Sequence, residues 1–246
     1  MKLHIIYRST GPDSKSHIRP KYFNKTVGLK SFLSAVNKVR HEIGDIIFMN
    51  DGEMPVDRVK LMESAGKVTP LPGLGNSGSF RAAFNLVKDK DWDDDDIIYF
   101  AEDDYLYKEN SLSLLIEGAK NIKKADYFTL YDHPDRYSRT DDAKKTEYVF
   151  FSGTIHWRSV ESTCISFGAR VGAIKKNLWL FKIGTIRPIP KDRHIFRAVQ
   201  GIGQYFFLFP KRILISPIPS LCCHMENDLL AKGVDWESVY EGLDLS

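Results

Sequence analysis

The amino-acid sequence predicts an α/β protein built on a twisted, mostly parallel sheet flanked by helices. In the first half of the chain, short apolar runs alternate with segments whose apolar residues recur at three- and four-residue steps. The run Ile97–Phe100 is apolar on both faces, which is typical of a central strand in a parallel sheet. With 246 residues, the chain is also long enough to bury a sizeable core.

The predicted elements follow in order along this first half. A strand over Leu3–Tyr7 leads into a polar loop, after which Asn24 is expected to cap a helix that stops at Gly44. The remaining predicted elements are a strand at Asp45–Met49, a helix at Val56–Ala65, a strand at Lys67–Leu71, a helix around Phe80–Val87, a strand at Ile97–Phe100, a helix around Leu112–Ala119 and a strand at Tyr127–Tyr131.

The second half has a looser pattern. The polar stretch Asp132–Thr146 predicts a long, mobile loop, and Phe150–Ala173 predicts extended structure. A helix is expected over Asp192–Gly201, and the tail from Ser216 onward is expected to be irregular. No linker rich in Pro, Gly or Ser and no internal repeat divides the sequence, so we expect one domain over residues 1–246.

Composition excludes several classes of protein. The 35 Lys and Arg residues against 32 Asp and Glu give a charge of +3, which does not indicate a nucleic-acid partner. Three cysteines are too few for a disulfide scaffold and favour a reducing, cytoplasmic location. No run approaches the ~20 apolar residues of a transmembrane helix, so we expect no membrane span, with peripheral membrane contact left open.

The sequence Glu102-Asp103-Asp104 directly follows the buried strand at Ile97–Phe100. Ligands of such folds lie at the carboxyl ends of the strands. Two unit charges ~4 Å apart repel by about 4 kcal/mol at an effective dielectric near 20, and a divalent cation removes that cost. The alternative is a solvated acidic turn. The acidic run Asp91–Asp96 precedes the strand, and there the solvated loop is the better interpretation.

The segment Gly75–Arg81 is rich in Gly and Ser and precedes a predicted helix. Small residues permit close backbone approach, and a helix N-terminus favours phosphate. Arg81 could add a charge-assisted contact to a diphosphate. A simple turn with a helix cap is the alternative, since neither a P-loop nor a dinucleotide fingerprint is present.

Four short motifs in this order resemble the GT-A glycosyltransferases, in particular the glycosyltransferase family 2-like group. The resemblance implies a GT-A fold and a single catalytic domain over 1–246, with a nucleotide-sugar-binding half at 1–105 and an acceptor-binding half at 106–246. The motifs are Arg8-Ser9-Thr10, Asn50-Asp51-Gly52, Asn76-x-Gly78-x-x-x-Ala82-x-x-Asn85 and Glu102-Asp103-Asp104.

The resemblance also implies roles for individual residues. A divalent cation, Mn²⁺ or Mg²⁺, would be bound by Asp104, with Glu102 at a position where the family often has Asp. His224, late in the chain, would be a third metal-side residue; a structural histidine is the alternative, and a zinc site built on Cys222-Cys223-His224 lacks enough ligands. The residues implied to contact the nucleotide sugar are Arg8, Ser9, Thr10, Asp51, Asn76, Arg81 and Asp103.

Catalysis and acceptor binding are assigned to the second half. Inverting members of the family use a carboxylate base, and Asp192 lies in the matching position at a predicted helix start, where it could instead be a cap. Asp132 and Asp135 are fallback candidates for the base. His156 and Trp157 suit an aromatic acceptor-binding face, and Asp132 could line the acceptor side. A Trp157 buried in the core is an equal alternative.

These expectations amount to a metal-dependent glycosyltransferase. It would move a sugar from a UDP-, GDP- or dTDP-sugar to a hydroxyl of a glycan or other acceptor, with inversion of configuration and Asp192 as the base. One rival is a sugar-1-phosphate nucleotidyltransferase, whose Gly-rich basic loop is poorly matched by Arg8–Lys15. The other is a non-catalytic protein that binds nucleotide sugars or carbohydrates.

Overall fold

The computed structural model describes residues 1–11, 18–137, 147–205 and 211–244. Eleven strands and seven α-helices lie in these ranges. The strands are β1 Leu3–Thr10, β2 Ile43–Asp51, β3 Lys67–Leu71, β4 Ile97–Glu102, β5 Tyr105–Tyr107, β6 Tyr127–Phe128, β7 Val149–Phe151, β8 His156–Ser159, β9 Phe167–Arg170, β10 Leu214–Ile218 and β11 Cys222–His224. The helices are α1 Lys25–Lys38, α2 Val56–Ala65, α3 Gly75–Asp89, α4 Ser111–Asn121, α5 Val171–Gly184, α6 Asp192–Gln200 and α7 Trp236–Glu241.

Nine strands form one mixed sheet in the order β3-β2-β1-β4-β9-β6-β10-β8-β7. The first four strands in this order are mutually parallel, whereas β9 runs antiparallel to both β4 and β6. Strand β10 is parallel to β6 and antiparallel to β8. The predicted α/β class, with a mostly parallel sheet flanked by helices, is confirmed.

The side chains of β1 alternate between two cores, one on each face of the sheet. Leu3, Ile5 and Tyr7 belong to the cluster that also contains the apolar residues of α1 and α4 and Met62 of α2. Ile6 belongs to the other cluster, which contains the apolar residues of α3, α5 and α6. Because helices cover both faces, the polar ends of the strands are left as the place for a ligand.

Local sequence signals account for several element boundaries. The Asn24 side-chain oxygen accepts hydrogen bonds from the amides of Thr26 at 2.9 Å and Val27 at 3.0 Å, so the predicted cap of α1 is confirmed. Helix α2 and strand β3 have the predicted bounds, and α3 begins at Gly75, earlier than the predicted Phe80. Gly75 has a φ of +71°, a backbone conformation that favours glycine.

The second half differs from its prediction in three places. The extended structure predicted to run to Ala173 ends at Arg170, and α5 begins at Val171, because an almost continuous apolar run does not distinguish a strand from a buried helix. The irregular tail predicted from Ser216 instead contains β10, β11 and α7, because β10 and β11 pair with strands distant in sequence. Within the predicted loop Asp132–Thr146, residues Pro134–Tyr137 form a 3-10 helix, and 138–146 lie outside the described residues.

Among the described residues, no helix combines the length and the apolar character that crossing a bilayer requires.

Candidate functional site

A cavity of about 220 Å³ lies at the carboxyl ends of β1 and β4. This is the position at which ligands bind in open α/β sheets. Three residues that the sequence analysis did not single out, Arg19, Lys25 and Ser79, also line the cavity. The predicted site residues that line it are Arg8, Ser9, Thr10, Asn76, Glu102, Asp103 and Asp104.

Arg8, at the end of β1, is buried and connects three elements around the cavity. Its guanidinium donates to Ser79 Oγ at 3.0 Å and to the backbone oxygen of Asn76 at 2.9 Å, both in α3. It also pairs with Glu102 at the end of β4 and lies 4.7 Å from the ring centroid of Phe80. Arg8 therefore fixes the relative positions of β1, β4 and the first turn of α3.

Asp103 is buried and holds the end of β1 in place. Its Oδ2 accepts hydrogen bonds from Ser9 Oγ and from the Thr10 amide, each at 2.8 Å. The Lys25 ammonium lies 3.2 Å from the same oxygen and donates to Thr10 Oγ1 at 2.6 Å. Burial raises the pKa of Asp103, and the Lys25 charge offsets only part of that effect. Asp103 thus stabilises the wall of the cavity through contacts within the protein.

Asp104 pairs with a histidine that is 120 positions away in the chain. Strand β11 runs antiparallel to β5 with His224 opposite Tyr105, which places the His224 imidazole next to Asp104. His224 Nε2 lies 3.0 Å from Asp104 Oδ2. Asp104 Oδ1 is buried and has no hydrogen-bond partner among the described residues. One carboxylate oxygen of Asp104 is thus engaged by His224, and the other is left unsatisfied by the described part of the chain.

The pKa values of Asp104 and His224 are shifted in the directions expected of an ion pair. Burial raises the pKa of Asp104, but the hydrogen bond and charge of His224 outweigh it, so the pKa lies below its ordinary value. Burial lowers the pKa of His224, but Asp104 more than offsets this and the pKa is raised. Asp104 is therefore held as a carboxylate.

The pKa of Glu102 is shifted in the opposite direction to that of Asp104. Burial and the nearby Asp104 charge raise the pKa of Glu102 to about 7, although the Arg8 charge opposes them. Its Oε1 is directed to Arg8. Within the described ranges, no three His, Cys, Asp or Glu side chains are arranged around one metal position. The structure thus brings Asp104 and His224 together and leaves Glu102 with Arg8.

The donor set around Asp104 fits a hard divalent cation that shares its ligands with a substrate. Mg²⁺ is usually bound by one or two carboxylates together with substrate phosphates and water, so a closed cage of protein ligands is not required. The unbonded Asp104 Oδ1 is such a ligand, and His224 lies next to it. Zinc fits less well, because burial raises the pKa of Cys223 to about 12 and a thiolate is needed to bind zinc.

Asp51 and Arg81, both predicted to contact the nucleotide sugar, make contacts outside the cavity lining. Asp51 Oδ1 accepts from the Leu74 amide at 2.6 Å and Oδ2 from the Gly75 amide at 2.7 Å. Both carboxylate oxygens thereby satisfy the free N–H groups at the start of α3. The Arg81 guanidinium donates to the Thr185 carbonyl oxygen at 2.5 Å, at the end of α5.

Asp192, the predicted base, is the first residue of α6 and does not line the 220 Å³ cavity. Its Oδ1 accepts from the amide of the next residue, Arg193, at 2.7 Å, whereas the N-cap position considered as the alternative is occupied by Lys191. Burial raises the pKa of Asp192, partly offset by this hydrogen bond and by His133. The fallback candidate Asp135 pairs with His133 at 2.9 Å.

The two residues predicted to form an acceptor-binding face point to opposite sides of β8. Trp157 is completely buried, with its ring against Phe128 and Gly118, so the expectation that it contacts an acceptor is corrected in favour of the core alternative. The alternation of a strand leaves His156 exposed, 5.1 Å from the ring of Phe151.

Asp132, also predicted on the acceptor side, is buried in an ionic cluster of its own. Its Oδ1 accepts from Arg158 at 2.6 Å and lies 3.3 Å from Arg136 Nε. Its Oδ2 accepts from the Tyr137 hydroxyl at 2.5 Å. Both oxygens are therefore engaged by side chains of the protein.

Comparisons with known proteins give no match to a family model and none to a curated protein. Among solved structures, the chain is similar to a 4-diphosphocytidyl-2C-methyl-D-erythritol synthase, with 12% identity, a TM-score of 0.49, and coverage of 98% of this chain and 95% of that one. It is also similar to S. aureus TarS, with 13% identity, a TM-score of 0.43, and coverage of 72% and 30%.

A third similarity is to glucosyl-3-phosphoglycerate synthase from Mycobacterium tuberculosis in complex with Mn²⁺, uridine-diphosphate-glucose and phosphoglyceric acid. The identity is 8%, the TM-score 0.43, and the alignment covers 70% of this chain and 58% of that one. At these identities and TM-scores the similarities carry no functional weight.

Proposed function

We propose that the protein is a glycosyltransferase that moves a sugar from a nucleotide-diphosphate sugar to an acceptor hydroxyl with the help of Mn²⁺ or Mg²⁺. The observation that carries this proposal is the buried, unbonded Asp104 Oδ1 beside His224, on a cavity that basic side chains also line. An acidic ligand and cationic groups within one cavity suit a cation bound to a diphosphate.

In this proposal, different residues would bind the cation and the phosphates. Asp104 and His224 would hold the cation, which when bound neutralises charge on the leaving nucleotide diphosphate. His224 would have to give up its hydrogen bond to Asp104 Oδ2 to become a ligand. Lys25 and Arg19, which line the cavity, would add positive charge for the phosphates.

The acceptor step is assigned to Asp192. As a carboxylate it would take the proton from the acceptor hydroxyl while that oxygen attacks the anomeric carbon, giving inversion. The acceptor would be a glycan or another hydroxyl compound, as the sequence resemblance implies. Arg8 and Asp103 would act indirectly, by fixing the walls of the cavity.

Isothermal titration with UDP-, GDP- and dTDP-glucose, each with and without Mn²⁺, tests the donor site. We expect one nucleotide sugar to bind only when Mn²⁺ is present, and Asp104→Asn to abolish that dependence. Asp95→Asn, in the solvated acidic loop, is the matched control and should bind like the unchanged protein. Binding of equal strength by Asp104→Asn would refute the metal assignment.

A sugar-1-phosphate nucleotidyltransferase is the second candidate. It is favoured by the buried Lys25 and Arg58, which both contact the chain at the end of β1, since cationic side chains bind the phosphates of a nucleoside triphosphate through charge-assisted hydrogen bonds. The products distinguish the two reactions. A glycosyltransferase releases a nucleoside diphosphate, whereas a nucleotidyltransferase releases pyrophosphate from a nucleoside triphosphate and a sugar phosphate. A non-catalytic binding protein would release neither.

A further inference from the structure

The outer face of α5 and the loop after it carry large apolar side chains that are exposed. Trp179 is 49% exposed and Ile183 57%, and beyond the helix Ile186 is 70% and Ile189 78% exposed. The Ile186 amide donates to the Ile183 carbonyl oxygen at 3.2 Å, so the helical turn continues past the end of α5. Single exposed apolar residues are ordinary, but a contiguous group of this kind marks an interaction surface.

Basic side chains surround the apolar group. Residues 174–191 contain five Lys and Arg and no Asp or Glu. At about 100° per residue, Lys176, Trp179, Lys182, Ile183 and Ile186 fall within an arc of about 120° on one side of the helix. We call this surface, formed by those five residues with Arg187, Ile189 and Lys191, the α5 patch.

The opposite side of α5 is fully occupied by the core. Ile174, Leu178 and Phe181 are buried in the cluster shared with α3 and α6. The helix is therefore anchored by one face, and Trp179 and Ile183 lie largely exposed on the other. The exposed face combines tryptophan, isoleucine and lysine, and residues 174–191 contain no Asp or Glu. This is the composition of an interfacial membrane-binding surface.

We propose that the α5 patch binds the surface of an anionic lipid bilayer. The isoleucines and Trp179 would enter the boundary between headgroups and acyl chains, and Lys176, Lys182, Arg187 and Lys191 would lie against the anionic headgroups. The charge of the patch selects this partner, because its four basic residues and the absence of acidic ones complement an anionic surface and oppose the approach of a second, identical patch.

The patch directly precedes Asp192, the proposed base, along the chain. It ends at Lys191, and Asp192 is the next residue. Arg81 of α3 donates to Thr185 within the same segment, so the patch is also connected to the helix whose first turn borders the cavity. Docking would therefore place the start of α6 near the bilayer, where an acceptor carried by a lipid would be found; this last consequence rests on the proposed function.

Vesicle co-sedimentation tests the surface directly. We expect the protein to bind vesicles of phosphatidylcholine with 30–40% phosphatidylglycerol, roughly the content of anionic lipid that gives a strongly negative surface, and not vesicles of phosphatidylcholine alone. Added salt should weaken the binding. Each basic residue contributes about fivefold to such binding, so Lys176→Glu/Lys182→Glu should reduce it by at least about 25-fold. Trp179→Ser/Ile183→Ser should reduce it by roughly tenfold.

The control is Lys60→Glu/Lys67→Glu, which makes the same charge change on exposed residues of α2 and β3, remote from α5. It should retain most of the binding, and circular dichroism should show all three double variants folded. Equal binding by all three, or no binding to anionic vesicles, would overturn the proposal. So would a concentration-dependent dimer, seen by sedimentation velocity, that Trp179→Ser/Ile183→Ser dissociates. The vesicle assay uses no nucleotide sugar, so its failure is separate from failure of the donor titration.

Discussion

Two carboxylates in this molecule, the buried Asp132 and the half-buried Asp104, differ in how completely the protein satisfies their oxygens. Asp104 and Asp132 each follow a strand of the main sheet, and each lies near positively charged side chains. Both oxygens of Asp132 are engaged, by Arg158 and by the Tyr137 hydroxyl. Asp104 has one oxygen paired with His224 and one with no partner in the described part of the chain. If Asp104 binds a ligand, as we propose, an unsatisfied oxygen distinguishes a ligand carboxylate from a structural one.

The largest expected effect is the loss of stability in Asp132→Ala. The substitution leaves Arg158 and Arg136 without their counter-charge, and breaking a buried pair by removing one partner costs about 3–5 kcal/mol. Urea denaturation should show this decrease in the free energy of unfolding, while the folded protein should bind nucleotide sugar with unchanged affinity. A loss of affinity at unchanged stability would instead place Asp132 in the ligand site.

The next effect is the loss of nucleotide binding in Asp104→Asn. Removing the charge that would bind the cation should reduce Mn²⁺-dependent affinity about 100-fold, which corresponds to about 2.7 kcal/mol. The amide is nearly isosteric with the carboxylate, so the free energy of unfolding should change by less than the Asp132 variant's does. Titration calorimetry and urea denaturation on the same preparation measure both quantities. The comparison between the two carboxylates fails if this variant loses stability and keeps its affinity.

The acidic motif was found from the sequence because it directly follows a strand that is apolar on both faces. What the sequence could not separate was the role of neighbouring residues within the motif. Asp103 is tied to Ser9 and Thr10, whereas Asp104 faces His224, and that division depends on the pairing of β1 with β4 and of β5 with β11. Lys25 was missed for the same reason, since its contact with Asp103 joins residues remote in sequence.

In the second half of the chain, the sequence predicted that side chains alternate along a strand, but not which of them face the core. The alternation of β8 requires that one of His156 and Trp157 points inward, and only the packing of Trp157 against Gly118 decides which. Helix α5 was not recognised because its buried face continues the apolar run of β9. Contacts that are distant in sequence therefore account for most of what the sequence did not predict.

A smaller effect is expected in the pH dependence of turnover, which extends the comparison to Asp192. Burial raises the pKa of this carboxyl above its ordinary 3.8. A base acts in its deprotonated form, so below the raised pKa the rate should fall tenfold per pH unit, and above it the rate should be constant. The acid limb of kcat/KM should therefore have its midpoint above pH 3.8. Asp192→Asn should abolish turnover and leave nucleotide affinity intact; a variant that keeps the acid limb would exclude Asp192 as the base.

The smallest expected effect concerns Asp51, whose two oxygens accept from the Leu74 and Gly75 amides. By the criterion drawn from Asp104 and Asp132, a carboxylate with both oxygens engaged is structural, although the sequence motif suggests contact with the nucleotide. Asp51→Ala removes a helix-capping interaction and should lower the free energy of unfolding by about 1 kcal/mol. Asp51→Asn keeps one acceptor oxygen and should lose less. If Asp51→Ala instead weakens nucleotide-sugar binding tenfold and leaves the unfolding free energy unchanged, an engaged carboxylate can still serve as a ligand contact, and the criterion does not hold.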